Sequence, residues 1–335
     1  MIRQVTDPER TAMQLSAKMV HERLAHMKPR LENCSLETTR KGQNALGEVM
    51  RAAHHSRSKV KRHDFPDFQA AWVMPGDQRR DGVVLYLHGG GYTCGGLEYA
   101  LGFGSVLADN CGVRVFCAAY RLAPENPFPA AVDDALTAYQ YLLKKGYTPN
   151  QISLCGESAG GGLCFCLCLR LKELGMELPG SITAISPWTD LTGSGESYET
   201  NREVDVSLSQ EQLAFYARCY TDNPENPLAS PLFGDLTGMP PTLIFAGGDE
   251  ILLSDSENMC RKLREAGNIC RIHVRPERWH AYVLYGLAED QEDMVILNGF
   301  LSRYLSPERK LRWMRLDNAA KIYPAAQRES WSNVF

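Results

Sequence analysis

From about residue 83 onward, short apolar runs alternate with longer stretches of helical periodicity. Val83–Leu87, Val113–Tyr120, Ile152–Cys155, Ile182–Ser186, Leu243–Ala246 and Arg271–Val274 predict strands. Most of them are apolar throughout, as parallel strands become when helices cover both faces. Between them Ala130–Lys145, Ala159–Leu174 and Ser254–Ala266 predict helices, the last closed by Gly267, and a final helix runs from about Glu289 to Tyr304. The alternation predicts an α/β fold with a doubly wound, mostly parallel sheet. Two segments break the rhythm. Residues 8–55 predict one or two amphipathic helices interrupted at Lys28-Pro29 and at Gly42 to Gly47. Residues 192–230 predict an insertion with a helix over Ser209–Tyr220 and an exit rich in Pro and Asn. Both are expected to cap the C-terminal edge of the sheet, where open α/β folds bind ligands.

The expected organisation is therefore a helical lid segment over 1–60, a catalytic domain over 61–305 with its insertion at about 192–230, and a tail over 306–335. The tail has two readings. Arg315 to Phe335 looks like the opening of a condensation-type acyltransferase domain, and Trp313, Ile322, Tyr323 and Trp331 equally suit a tail that docks on the surface of the preceding domain or on a second subunit.

Composition narrows the function classes. With 44% hydrophobic and 23% charged residues the chain is an ordinary globular protein, and a net charge of −4 without a basic stripe argues against a nucleic-acid partner. The first ten residues are charged and lack an apolar centre, so no secretory leader is read, and a cytoplasmic location is expected. The longest apolar run, Leu163 to Leu169, is far too short to span a bilayer. Eleven cysteines raise the question of metal, but no C-x-x-C occurs. At about 100° per residue Cys164 and Cys168 share a helix face and Cys166 does not. Neither a metal nor any other cofactor is expected, and the cysteines read as small buried hydrophobes in a reducing compartment.

Gly156-Glu157-Ser158-Ala159-Gly160 carries the chemistry. It reads G-x-S-x-G between a strand and a helix, the form of a nucleophile elbow. A serine at the tip of so tight a turn needs neighbours without bulky Cβ groups, hence Gly156 and Gly160. The helix that starts at Ala159 aims N–H groups and the positive end of its dipole at an oxyanion beside the serine. His88-Gly89-Gly90-Gly91-Tyr92 follows the strand Val83–Leu87, and its glycines allow main-chain N–H groups to turn inward. The N–H groups of Gly90, Gly91 and Ala159 are the expected oxyanion donors, with His88 and Gly89 structural. A phosphate loop would need Gly-Lys-Ser/Thr there, which is absent.

Serine needs a base oriented by a third group. Of eight histidines, His21, His26, His54, His55 and His63 precede the sheet. His273 alternates along a strand and is expected to face solvent beside Arg271 and Arg275. His280 follows that strand in a loop at the edge where Ser158 emerges, and is the expected base. Asp249 follows the strand Leu243–Ala246 and is the expected acid, with Glu250 and Asp255 as neighbours that could serve instead. The order Ser…Asp…His matches that of α/β-hydrolases.

With these motifs in order, the chain resembles the hormone-sensitive-lipase-like family of bacterial carboxylesterases within the α/β-hydrolases. The resemblance covers about residues 60–305 and includes Tyr120 to Glu125, Pro127 to Ala131, Ser186 to Asp190, Ser230-Pro231-Leu232 and Pro240-Pro241-Thr242. It implies a lid, a triad on Ser158, Asp249 and His280, and hydrolysis of small-molecule esters with short acyl chains. The implied partners are such substrates, with a second copy of the chain a further candidate, and neither nucleic acid nor membrane. Two other readings use the same residues: acyl transfer to an alcohol or amine, and a ligand-binding relative that has lost catalysis. Three positions depart from the family pattern. Glu157 stands where Asp is usual, at a position expected to be exposed and without effect on chemistry. Asp249 is followed by Glu250-Ile251 in place of Pro-Leu, and His280 by Ala281-Tyr282 in place of Gly-Phe.

Overall fold

The computed structural model describes residues 16–31, 34–54 and 58–305, so the tail over 306–335 lies outside the described residues. Eight strands form one sheet: β1 Ser58–Asp64, β2 Gln69–Pro75, β3 Val83–Leu87, β4 Arg114–Ala119, β5 Ile152–Glu157, β6 Ser181–Ile185, β7 Thr242–Gly247 and β8 Cys270–Arg275. Their order is β1-β2-β4-β3-β5-β6-β7-β8. From β4 to β8 all neighbours are parallel, and β2 joins antiparallel to β1 and to β4. The helices are α1 Ala17–Leu31, α2 Leu36–His54, α3 Leu97–Cys111, α4 Ala130–Lys144, α5 Ala159–Glu173, α6 Ser197–Thr200, α7 Gln210–Tyr220, α8 Leu253–Glu265 and α9 Gln291–Tyr304. This is the mostly parallel sheet expected from the alternation of elements, in the α/β-hydrolase fold that the resemblance implied.

The expected strands all form, within a residue or two of the predicted ends. The β1–β2 hairpin was not legible. β1 (Ser-Lys-Val-Lys-Arg-His-Asp) is an edge strand with mostly exposed side chains, and its charges, which protect a sheet edge, erase the apolar signal of a strand. Helix α3 was missed for the opposite reason. It is buried nearly all round, so its sequence has no polar face to set a helical period.

The sheet is apolar on both faces. On β3, Val83, Leu85 and Leu87 join the layer formed with α4 and α5, while Val84 and Tyr86 join the layer formed with α3 and α9. Strand geometry turns successive side chains to opposite faces, so a strand covered on both sides must be apolar throughout.

The N-terminal helices differ from expectation in where they break. Pro29 lies in the last turn of α1, and Gly42 and Gly47 lie within α2. Gly47 is a contact residue, not a helix breaker: a Cβ there would come within 2.2 Å of the Glu98 carbonyl oxygen on α3. Gly102 faces it from α3, with an ideal Cβ only 2.7 Å from the Gly47 Cα. Two glycines thus let α2 cross directly over α3. That crossing carries α2 to the C-terminal edge of the sheet, where Arg40 donates to the carbonyls of Thr93 (2.7 Å) and Ala123 (2.9 Å).

Candidate active site

Because β3 and β5 to β8 run parallel, the turns that follow them emerge at one edge. The turn after β5 is the tightest. Ser158 sits there at φ 54° and ψ −125°, a left-handed conformation that costs a non-glycine residue on the order of 1–3 kcal/mol and needs surroundings that enforce it. Its N–H donates to the Ile185 carbonyl (2.9 Å), and its carbonyl accepts from Trp188 (2.9 Å) and Gly162 (3.0 Å). The flanking glycines are compelled by contact. A Cβ on Gly160 would lie 2.0 Å from the Leu87 oxygen, and one on Gly156 would lie 2.4 Å from the Gly160 oxygen. Ala159 opens α5, so its N–H is among those a helix leaves without an internal partner.

The loop after β3 lies against this turn. Gly90 and Gly91 have φ of 108° and 60°. Among the described residues, neither N–H is donated to a protein acceptor. A Cβ on Gly91 would meet the Tyr216 ring at 2.3 Å, and one on Gly90 would meet the Cys94 oxygen at 2.4 Å and Gln43 Oε1 at 3.1 Å. The insertion (Tyr216, on α7) and the N-terminal segment (Gln43, on α2) therefore both close on the loop expected to hold the oxyanion. His88 is buried and stacked on Tyr120 (centroids 4.3 Å apart), and its Nδ1 donates to the Gly89 carbonyl (2.7 Å). Burial pushes its imidazole down to about 4, so it is neutral at working pH and serves as scaffold.

His280 follows β8 and is largely buried. Its Nδ1 lies 2.7 Å from Oε2 of Glu250, whose side chain is wholly buried. A carboxylate only accepts, so Nδ1 carries the proton and Nε2 is left with its lone pair. The loop is brought to the elbow by Ser186, whose Oγ accepts the N–H of Ala281 (3.0 Å), next to the Trp188 N–H that donates to Ser158.

Asp249, the acid expected from the sequence, is not the partner of His280. Its backbone N–H donates to the Arg278 carbonyl (3.0 Å), and its half-buried carboxyl lies within the field of His21 on α1. Burial raises its pKa, with His21 opposing. The turn after β7 decides between the two neighbours: Glu250 reaches back, its Oε1 accepting the Gly247 N–H (3.0 Å), and this leaves Oε2 for the imidazole. Asp255, the third alternative, accepts the N–H groups of Thr189 (2.8 Å) and Asp190 (2.9 Å) and holds the loop after β6. Burial pushes its carboxyl up to about 8. His273, expected to face solvent, is partly exposed, and its Nε2 lies 2.8 Å from the buried Asp293 of α9.

Three further residues brace the site; the sequence reading passed over two of them and misjudged the burial of the third. Asn201 donates to the carbonyls of Gly248 (2.9 Å) and Glu250 (2.9 Å). Asp205 accepts the Ile251 N–H (2.8 Å). Both come from the insertion, which thus clamps the turn that carries the acid. The third is Glu157, expected to be exposed but in fact buried, its Oε1 accepting the Gly89 N–H at 2.6 Å. No spacing rule marks any of them, because each acts through a fold contact and not a local motif.

Among the described residues, no group of three or more His, Cys, Asp or Glu could hold a metal ion, and the cysteines are free. No described helix is long and apolar enough to cross a membrane.

A family model described as alpha/beta hydrolase fold matches residues 84–284. An acetyl-hydrolase of Streptomyces hygroscopicus is 38% identical over 237 residues, 69% of this chain and 79% of that protein. An esterase of Acinetobacter venetianus is 35% identical over 206 residues, 61% of this chain and 68% of its own length. Among solved structures, a hormone-sensitive lipase from a metagenome library superimposes with a TM-score of 0.82 at 30% identity, over 88% of this chain and 99% of that one. An esterase from the bacterial hormone-sensitive lipase family gives 0.79 at 33% identity, over 87% and 100%. The chain belongs to the α/β-hydrolases, and within them to the hormone-sensitive-lipase-like family.

Proposed function

We propose that the chain hydrolyses esters of short acyl chains through an acyl-enzyme on Ser158, with His280 as base and Glu250 as the acid that orients it. Its class, carboxylic ester hydrolase, is that of the family. The observation that carries the mechanism is the 2.7 Å contact from His280 Nδ1 to the buried Glu250 carboxylate, at the sheet edge where the strained Ser158 stands. His280 Nε2 takes the Ser158 hydroxyl proton as Oγ attacks the ester carbonyl. The N–H groups of Gly90, Gly91 and Ala159 receive the developing oxyanion, and the buried Glu250 stabilises the imidazolium. His280 then protonates the leaving alcohol, and a water that it deprotonates releases the acid and regenerates Ser158.

Tyr216 supports the short-chain reading. It stands directly over Gly91 and limits the space above the oxyanion loop. The relative from Streptomyces is named an acetyl-hydrolase. In a series of chromogenic acyl esters, kcat/KM is expected to be highest at roughly two to six acyl carbons and to fall beyond. Faster cleavage of long-chain than of butyrate esters would refute the assignment.

A further inference from the structure

Resting on that esterase reading, we infer that Glu157 is a positioning residue whose carboxylate ties the oxyanion loop to the elbow and so sets Gly90 and Gly91 beside Ser158.

Glu157 ends β5 on the face shared with Tyr86 and Cys155, inside the apolar layer under α3. A carboxylate there loses its hydration and must be held by donors. Oε1 accepts the Gly89 N–H at 2.6 Å and Oε2 accepts the Tyr86 hydroxyl. The loop rests directly on the elbow, for a Cβ on Gly89 would lie 2.9 Å from the Glu157 carbonyl and 3.0 Å from the Ser158 Cβ. The Gly89 N–H is thus the last anchored donor before the two free N–H groups of Gly90 and Gly91. The carboxylate that anchors it belongs to the residue before the nucleophile. An ionised carboxylate suits this role best: two donors converge on it, whereas a protonated acid or an amide holds Gly89 by a neutral, weaker bond and must turn the Tyr86 hydroxyl round to accept.

The ionisable groups around Glu157 are uncharged at working pH. They are Tyr86 of β3, Tyr99 of α3, Cys117 of β4, Tyr120 just beyond β4, Cys155 of β5 and Cys164 of α5, and burial raises the pKa of each. Burial also pushes the Glu157 carboxyl up to about 7, with the hydrogen bonds from Tyr86 and Gly89 opposing. Folding therefore favours the protonated acid, and this advantage is lost as pH rises through about 7. Activity is expected to have the opposite requirement, since the bond that holds the loop is strongest when the group is ionised.

The test compares wild type, Glu157→Gln, Glu157→Asp and Tyr86→Phe on a soluble acetate ester, with melting temperatures at pH 8. Glu157→Gln is expected to melt within a few degrees of wild type, to lose roughly 10- to 100-fold in kcat and to keep KM within about threefold. Its affinity for a boronic acid, which forms a tetrahedral adduct on serine, should fall with kcat. Glu157→Asp, which restores the charge, should recover part of the rate. Tyr86→Phe removes one hydrogen bond to the carboxylate and should move the acid limb of the kcat profile to higher pH. Should Glu157→Gln fail to fold, the Tyr86→Phe profile decides. Wild-type kcat and an unshifted profile in these variants, beside an active wild type, would overturn this inference alone. A wild type without esterase activity would overturn the esterase reading and this inference with it.

Discussion

The turn after β5 and the turn after β7 each bring a polar side chain to the same edge of the sheet, and they are built on different physics. The elbow is fixed by backbone contact. Strand and helix approach so closely that Gly156 and Gly160 have no room for a Cβ, and Ser158 is forced into a left-handed conformation. The turn after β7 has one such close approach, at Gly247, where a Cβ would lie 2.4 Å from the Arg278 oxygen, but the direction of its carboxylates is fixed by hydrogen bonds. Asn201 and Asp205 hold its backbone from the insertion, and the Gly247 N–H holds the Glu250 side chain. Steric constraint leaves its mark in the sequence as glycine. Hydrogen-bond constraint leaves two adjacent carboxylates that look alike until the turn is folded.

The elbow side of this comparison breaks first at the nucleophile. Ser158→Ala should lower ester turnover by roughly 10³ to 10⁶, leaving what binding and the oxyanion donors supply. Retention of more than about a tenth of kcat would remove Ser158 from the mechanism.

A smaller effect sharpens the contrast between the turns themselves. Gly160→Ala places a methyl 2.0 Å from the Leu87 oxygen and should cost about 1–3 kcal/mol of stability. Gly248→Ala, whose nearest contact in the acid turn is the Pro276 Cα at 3.2 Å, should cost under about 1 kcal/mol. Urea midpoints compared at equal m-values measure both. Equal losses would mean that Gly160 and Gly248 are constrained alike.

The same contrast explains what was legible in the sequence. The parallel strands were readable because burial on both faces demands unbroken apolar runs. Ser158, Gly156, Gly160 and the glycines after β3 were readable because close backbone approach admits few residues. The place of His280 was readable by elimination, as the one histidine in a loop after the last strand, and its role is the proposal made above. The choice of Glu250 over Asp249 was not, since it depends on which side chain the torsions of one turn direct inward. Nor was the burial of Glu157, which follows from the strand phase of β5 and the position of Tyr86. Strand β1 escaped because an edge strand is protected by the charges that conceal it.

The central claim is that the carboxylate behind His280 is Glu250, and paired kinetics test it most directly. Glu250→Gln and Asp249→Asn each remove one charge with little change of shape, and kcat/KM on a soluble acetate ester is measured for both beside wild type. Loss of the charge that orients the imidazole should lower the rate by roughly 10² to 10⁴ in Glu250→Gln. Asp249→Asn should stay within about fivefold of wild type, since it is Glu250 that lies against the imidazole. A collapse in Asp249→Asn with Glu250→Gln near wild type would contradict the account.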